Sequence, residues 1–214
     1  IMAYTTIDDP SAYFKVQLYT GDGNSSKAIT FDDTDTNMQP DFVWIKRRDD
    51  ADSHFIYDSV RFDGSNAYWL QANNTNAEGS DRPLTAFGSD GFTIGSNNSA
   101  LNGNTNTYVS WNWKETSTAG FDIIGYSGTG STATVSHNLG VVPSLIILKC
   151  RTNANPDWIV FGKTLGGTVG SEFLKLNNTG AKTTGLDTSW FNQTAPTSSV
   201  FTVGTQGDVN GSSN

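Results

Sequence analysis

Apolar and polar residues alternate in short runs along this chain. Phe14, Val16 and Leu18 alternate with Lys15 and Gln17, and Val109, Trp111 and Trp113 alternate with Ser110, Asn112 and Lys114. A period of two is the pattern of a strand with one apolar and one polar face, so the apolar members of both runs are expected to point into a core. Phe42-Val43-Trp44-Ile45 is instead a continuous apolar run between Pro40 and Lys46-Arg47-Arg48, as expected of a central strand covered on both faces. Residues 54–58, 67–72 and 91–95 read as further strands, and the helix signal is weak throughout.

This pattern occurs twice. Tyr19-Thr20-Gly21-Asp22-Gly23 returns as Tyr126-Ser127-Gly128-Thr129-Gly130, and Pro40-Asp41-Phe42-Val43-Trp44-Ile45-Lys46 as Pro143-Ser144-Leu145-Ile146-Ile147-Leu148-Lys149. In the same order, Leu70-Gln71-Ala72-Asn73-Asn74-Thr75 matches Leu174-Lys175-Leu176-Asn177-Asn178-Thr179, Gly91-Phe92-Thr93-Ile94-Gly95 matches Val200-Phe201-Thr202-Val203-Gly204, and Asn102-Gly103 matches Asn210-Gly211. Collinear matches at a separation of roughly 103 to 109 residues point to a tandem duplication.

Residues 115–119 lack periodicity and large apolar side chains, so they read as a link, with a boundary near Ser117 and domains at 1–117 and 118–214. Short strands separated by turn clusters, without helical patterns between them, suit packed antiparallel sheets better than a parallel sheet. The expected fold is all-β: two tandem, duplicated antiparallel β-sandwich (jelly-roll-like) domains. Phe14, Phe42, Trp44, Trp69, Phe92, Trp111 and Trp113 are the expected anchors of the first core, and Phe121, Trp158, Phe173, Trp190 and Phe201 those of the second.

The second copy stops early, at Asn210-Gly211-Ser212-Ser213-Asn214, where the strand matching residues 107–114 would begin. A sandwich without that strand exposes unpaired edges and an apolar slot. The expectation is a longer parent chain, or a strand supplied by a neighbouring subunit.

Composition narrows the function classes. The chain has 214 residues, a formal net charge of -8 and a pI near 4.5, which argues against binding a phosphate backbone. Its basic cluster, Lys46-Arg47-Arg48, is followed by Asp49, Asp50 and Asp52, which cancel its field and make a solvated turn the expected reading. One cysteine, Cys150, cannot form an intrachain disulfide and follows an apolar run where a buried thiol is ordinary. Sequons such as Asn24-Ser25-Ser26 and Asn177-Asn178-Thr179 are what an Asn/Ser/Thr-rich chain produces by composition. No signal-peptide core or apolar run of about 18 residues is present, so neither export nor membrane insertion is indicated.

Candidate chemistry is sparse. Glu78, Glu115 and Glu172 are the only glutamates and carry no paired motif; among 18 aspartates a pair such as Asp58 and Asp90 could face a cleft, but turn-forming aspartate is the stronger reading. His54 and His137 fall in different repeats without a nucleophile motif. Asp33, Asp35 and Asn37 alternate like ligands of a calcium loop, yet Met38 stands where that loop needs glycine and no closing glutamate follows, so a polar hairpin is preferred. Gly21-Asp22-Gly23 and Gly128-Thr129-Gly130 lack the lysine and helix of a phosphate loop and read as tight turns. No catalytic, cofactor-binding or metal-binding residue is assigned, and no enzymatic activity is expected.

Met2-Ala3-Tyr4-Thr5-Thr6-Ile7-Asp8-Asp9-Pro10, the Tyr19-Thr20-Gly21 turn, Val43-Trp44-Ile45-Lys46, Phe87-Gly88-Ser89-Asp90-Gly91-Phe92 and Asn106-Thr107-Tyr108-Val109-Ser110-Trp111-Asn112-Trp113-Lys114 carry a resemblance that covers nearly the whole chain. The chain resembles a repeat domain of unknown function found in virion structural and tail-fibre-like proteins of tailed bacteriophages, marine ones above all. The pattern begins at Met2, so Ile1 is left out of fold reasoning.

The resemblance implies a structural component of a bacteriophage virion (fibre, appendage or capsid decoration), made in the host cytoplasm and located in the virion. Its implied partners are other virion proteins and copies of itself in a homo-oligomer, with no nucleic acid and no membrane. The alternative is a lectin-like module of a phage fibre that recognises host-surface glycan, with Tyr13, Tyr68 and Tyr108 as a surface platform because they lie on the opposite parity from their apolar neighbours.

Overall fold

A computed structural model describes residues 7–34, 36–165, 172–184 and 188–212. The chain is all-β and divides into two compact units: residues 1–71 with 79–123, and residues 72–78 with 124–214. The described helix is confined to single turns at Pro10–Ala12, Ser59–Arg61, α1 (Ser99–Asn102) and α2 (Gly207–Asn210).

The first unit is built on eight strands: β1 (Phe14–Thr20), β2 (Lys27–Thr30), β3 (Phe42–Arg47), β4 (Phe55–Asp58), β5 (Ala67–Gln71), β6 (Gly79–Gly88), β7 (Gly91–Ile94) and β8 (Thr107–Trp113). They form one antiparallel sheet in the order β1-β8-β3-β4-β5-β6-β7-β2. Both edge strands come from the start of the chain, so the sheet is nearly closed with a seam between β1 and β2. Side chains bridge that seam: Lys15 Nζ pairs with Asp33, and the Asp32 N–H donates to Gln17 Oε1 at 3.0 Å.

Within the sheet lie Ile29, Phe31, Met38, Val43, Ile45, Phe55, Tyr57, Leu84, Phe92, Ile94, Leu101 and Tyr108. β2 and β6 carry weak sequence signals. β2 has only four residues, and β6 contains Pro83 and a register shift between Leu84 and Ala86.

Four expectations about this core are corrected. The parity of β1 is reversed: Lys15 and Gln17 are buried, whereas Phe14, Val16 and Leu18 are 39, 49 and 53% exposed. The parity of β8 is reversed with it, since Tyr108, Ser110 and Asn112 are buried and Val109, Trp111 and Trp113 face out half-covered.

The tyrosines fix this choice. Tyr19 stacks on Tyr108 at 4.9 Å inside the unit and donates to Leu101 O, while Tyr108 bonds Ser99 O and the Gly103 N–H. Once Tyr19 points in, strand alternation turns Lys15 and Gln17 in as well. The aromatic anchors Phe14, Phe42, Trp44, Trp111 and Trp113 therefore lie on the outer face, leaving Phe92 in the core and Trp69 packed against it.

The strand buried at every position is β4 rather than β3. Phe55 and Tyr57 face the core, and Ile56 and Asp58 are covered on the other side, where Arg61 bonds Asp58 Oδ2 at 2.7 Å.

The second unit contains a three-stranded sheet, β10 (Leu145–Leu148), β11 (Ile159–Gly162) and β12 (Leu174–Lys175), and a two-stranded sheet of β9 (Ala133–Ser136) with β13 (Val200–Val203). Its core holds Val135, Leu148, Ile159, Phe161, Phe173, Phe191, Phe201, Val203 and Val209, with Trp190 on Phe173 at 4.2 Å. Trp158 is buried as expected, whereas Phe121 belongs to the first unit. Among the described residues β10 pairs with β11 alone and turns Leu145 and Ile147 outward, 59 and 43% exposed.

The same local contacts recur in both units. Asn102 Oδ1 accepts the Asp22 N–H and its amide donates to Asn24 O; Asn210 Oδ1 accepts the Thr129 N–H and its amide donates to Ser131 O. Tyr126 donates to Val209 O as Tyr19 does to Leu101 O. A Cβ on Gly21 would lie 2.1 Å from Gly103 O, and one on Gly128 2.1 Å from Gly211 O, so both turns exclude any side chain. Lys46 Nζ bonds the carbonyls of Arg47 and Asp50, and Lys149 Nζ those of Cys150, Pro156 and Thr75.

Candidate functional site

The candidate site of the first unit is the outer face of β1, β8 and β3. The ladder registers place Phe14, Trp113 and Phe42 in one row, Val16, Trp111 and Trp44 in the next, and Leu18, Val109 and Lys46 in the third. Eight of these nine side chains are apolar, and they form a connected aromatic surface. Trp113 meets Phe14 at 4.8 Å and Phe42 at 5.4 Å, and Trp44 meets Trp111 edge-on at 6.3 Å. Such edge-to-face and offset contacts hold the rings in place while leaving their outer surfaces toward water.

Two polar groups border this surface. The Trp44 Nε1–H donates to His54 Nδ1 at 3.0 Å, which leaves the neutral imidazole's proton on Nε2. Burial first, and then the positive charge of Lys46, lower the His54 pKa and favour that neutral form.

At the other end, the segment expected to be an unstructured link folds into a turn closed by a Thr116–Phe121 bridge. It sets Phe121 against Phe42 at 5.7 Å and over Trp113 at 6.2 Å. The Ile123 N–H donates to Glu115 Oε1, and burial together with a hydrogen bond that the protonated Glu115 carboxyl donates to the Asp122 carboxylate pushes the Glu115 carboxyl up to about 7. Sequence reading missed this carboxyl pair because its members lie across a turn without a motif. Carboxyls in mutual hydrogen bond are too close to be the acid and base of a glycosidase, which stand about 5 Å or more apart.

The remaining candidates have structural roles. Asp58 binds Arg61 and caps the Ser59–Arg61 turn, and Asp90 accepts the Met38 N–H at 3.2 Å. His137 bonds Thr197 O through Nε2 at 3.1 Å. Cys150 is buried, with Sγ 3.7 Å from Thr152 Oγ1. Arg47 makes ion pairs with Asp49, Asp50 and Asp52. Glu78 pairs with Arg151, and Glu172 with Lys182. Asp33 faces Lys15, and Asp35 lies outside the described residues. Among the described residues no group of three His, Cys, Asp or Glu side chains is placed to hold a metal.

The tyrosine platform is corrected. Tyr108 is fully buried, while Tyr68 is half-buried and bonds Asp63, so the three tyrosines do not share a surface.

No curated protein and no solved structure matches the chain. A family model described as a domain of unknown function (DUF7483) matches residues 9–214, and the chain belongs to that family.

Proposed function

We propose that this protein is a structural component of a bacteriophage virion, a fibre, appendage or capsid decoration protein, working through protein–protein contacts. The observation that carries this reading is the inverted strand parity in the first unit. Its sheet buries Lys15, Gln17, Ser110 and Asn112 and turns Phe14, Val16, Leu18 and the half-covered Trp111 and Trp113 toward the surroundings. A contiguous apolar face on an acidic chain marks a contact surface for protein. Leu145 and Ile147 of β10 extend the same habit to the second unit.

The resemblance to repeats of phage virion and tail-fibre-like proteins supplies the setting. The recurring Asn102/Asn210, Tyr19/Tyr126 and Lys46/Lys149 contacts support two duplicated sandwich-like units as the architecture, and a non-enzymatic role is part of the proposal. Particles lacking the protein should lose an appendage, a decoration or stability. Recovery of the chain as a free monomer from infected cells, with none in purified virions, would overturn the proposal.

A further inference from the structure

β1 combines two features that seldom coexist on a solvated strand. Phe14, Val16 and Leu18 are exposed, and the backbone of the same residues forms a sheet edge at the seam, which is bridged through the inward side chains of Lys15 and Gln17 and by no strand pairing. The parity follows from the ladder with β8, in which the Lys114 N–H donates to Tyr13 O at 2.9 Å and the Gly21 N–H to Asn106 O at 2.8 Å. In an antiparallel pair hydrogen-bonded residues alternate with unbonded ones, so odd-numbered residues of β1 bond β8 and the even ones point away from it.

β1 is the last strand of the sheet on that side. Among the described residues, the backbone polar groups of Phe14 and Val16 have no partner. Leu18 O accepts Gln17 Nε2 at 2.8 Å, which leaves its second lone pair open.

We infer that β1 is a homotypic docking strand: its free edge pairs antiparallel with β1 of a second copy, Val16 opposite Val16 and Phe14 opposite Leu18. The inference rests on the reading of the outer face as a protein-contact surface and names the partner of that face. Three observations select a second copy. The apolar pattern Phe14-x-Val16-x-Leu18 is symmetric about Val16, so a two-fold axis through Val16 places apolar side chains opposite apolar ones on the outer face.

In that register even residues face even residues, which is the parity of the free N–H and C=O groups on both strands. Charge gives the third argument. Each copy carries -8, yet the outward row of β1 is uncharged and the inward Lys15 is paired with Asp33, so like-charged chains meet here without opposing charges. The joined sheet would run through β1 of both copies and bring the neighbouring Trp111 and Val109 rows of β8 beside each other. This is strand addition between identical edges.

Sedimentation velocity on the whole chain, from about 1 to about 100 µM, reads the association directly. The native chain should pass from 23.0 kDa to a dimer across that range. Val16→Lys and Val16→Glu, at a half-exposed position, should each raise the dissociation constant at least about tenfold, because like charges would face each other on the axis. An equimolar mixture of the two variants should recover dimer as a heterodimer, in which the introduced lysine of one chain faces the introduced glutamate of the other.

Val16→Pro is the second variant. It removes an N–H that faces away from β8, so it should keep the native circular dichroism spectrum and abolish the dimer. A native chain that stays at 23.0 kDa, a dimer indifferent to Val16→Lys, or a mixture that stays monomeric would each overturn the inference. Each of those results would leave the virion role standing, since that role fails only if the chain is missing from particles.

Discussion

Replacing Asn102 with alanine tests the junction that holds each unit together. Asn102 is fully buried; its amide donates to Asp22 Oδ1 and Asn24 O, both at 2.9 Å, and its Oδ1 accepts the Asp22 N–H at 3.0 Å. Three hydrogen bonds at a net value of about 1 kcal/mol each give an upper figure of about 3 kcal/mol. Asp22 and Asn24 are exposed and can rebind water, which lowers the expected loss to about 2 kcal/mol.

Asn210→Ala removes the matching set, with bonds to Ser131 O at 2.6 Å, Gly204 O at 2.7 Å and the Thr129 N–H at 2.8 Å. Gly204 is buried, so its orphaned carbonyl should make this variant the costlier one, at about 3 kcal/mol. Urea unfolding measures the losses, and peptide-resolved hydrogen exchange locates them. Asn102→Ala should release protection around residues 21–24 and 99–106, and Asn210→Ala around 128–131 and 204–211. A loss below about 0.5 kcal/mol in either variant, or exchange that rises in the same segments for both, would refute equivalent roles for the two asparagines.

Other outcomes follow from single residues. Gly21→Ala drives a methyl to 2.1 Å from a backbone oxygen and should cost more than about 3 kcal/mol, whereas Gly64→Ala, at φ 94° in open space, should cost about 1 kcal/mol in the same urea titration. Lys15→Glu buries a carboxylate beside Asp33 and should cost at least about 3 kcal/mol; a tolerated substitution would show that Lys15 faces water and that the parity of β1 is wrong. Glu115, with its carboxyl raised from 4.5 to about 7, holds its proton more tightly in the folded chain than in the unfolded one. That contribution is fully present below pH 4.5 and is lost as pH rises to about 7, by about 1 kcal/mol once solvent contact at this half-exposed pair is allowed for. Glu115→Gln should flatten the fall in thermal midpoint between those pH values; an unchanged profile would remove the carboxyl pair as its cause.

The class and most strand positions could be read from the sequence because period-two alternation survives in any half-covered strand. The direction each strand faces could not. In β1 the alternation of Phe14, Val16 and Leu18 against Lys15 and Gln17 shows two faces, and burial rules assign the apolar one inward. The tie is broken at Tyr19, which belongs by parity with the polar set yet fits against Tyr108 and reaches Leu101 O. Satisfying the inward lysine needs Asp33, 18 residues away across the seam, and no local pattern announces that pairing.

The same gap hid the site. Trp44, Trp111 and Trp113 look like core by composition, and they become a surface only once β8 is known to lie between β1 and β3. The glycines are more informative, since Gly21 and Gly128 are required by a close backbone approach that depends on the local turn.

The central claim is that the outward face of β1, β8 and β3 meets protein. A reconstruction of the particle proposed to carry this chain, resolved well enough to place side chains, measures it most directly. The account expects Phe14, Val16, Leu18, Trp44 and Trp111 to lie buried against a neighbouring polypeptide. Every copy of the chain presenting these five side chains to solvent would contradict it.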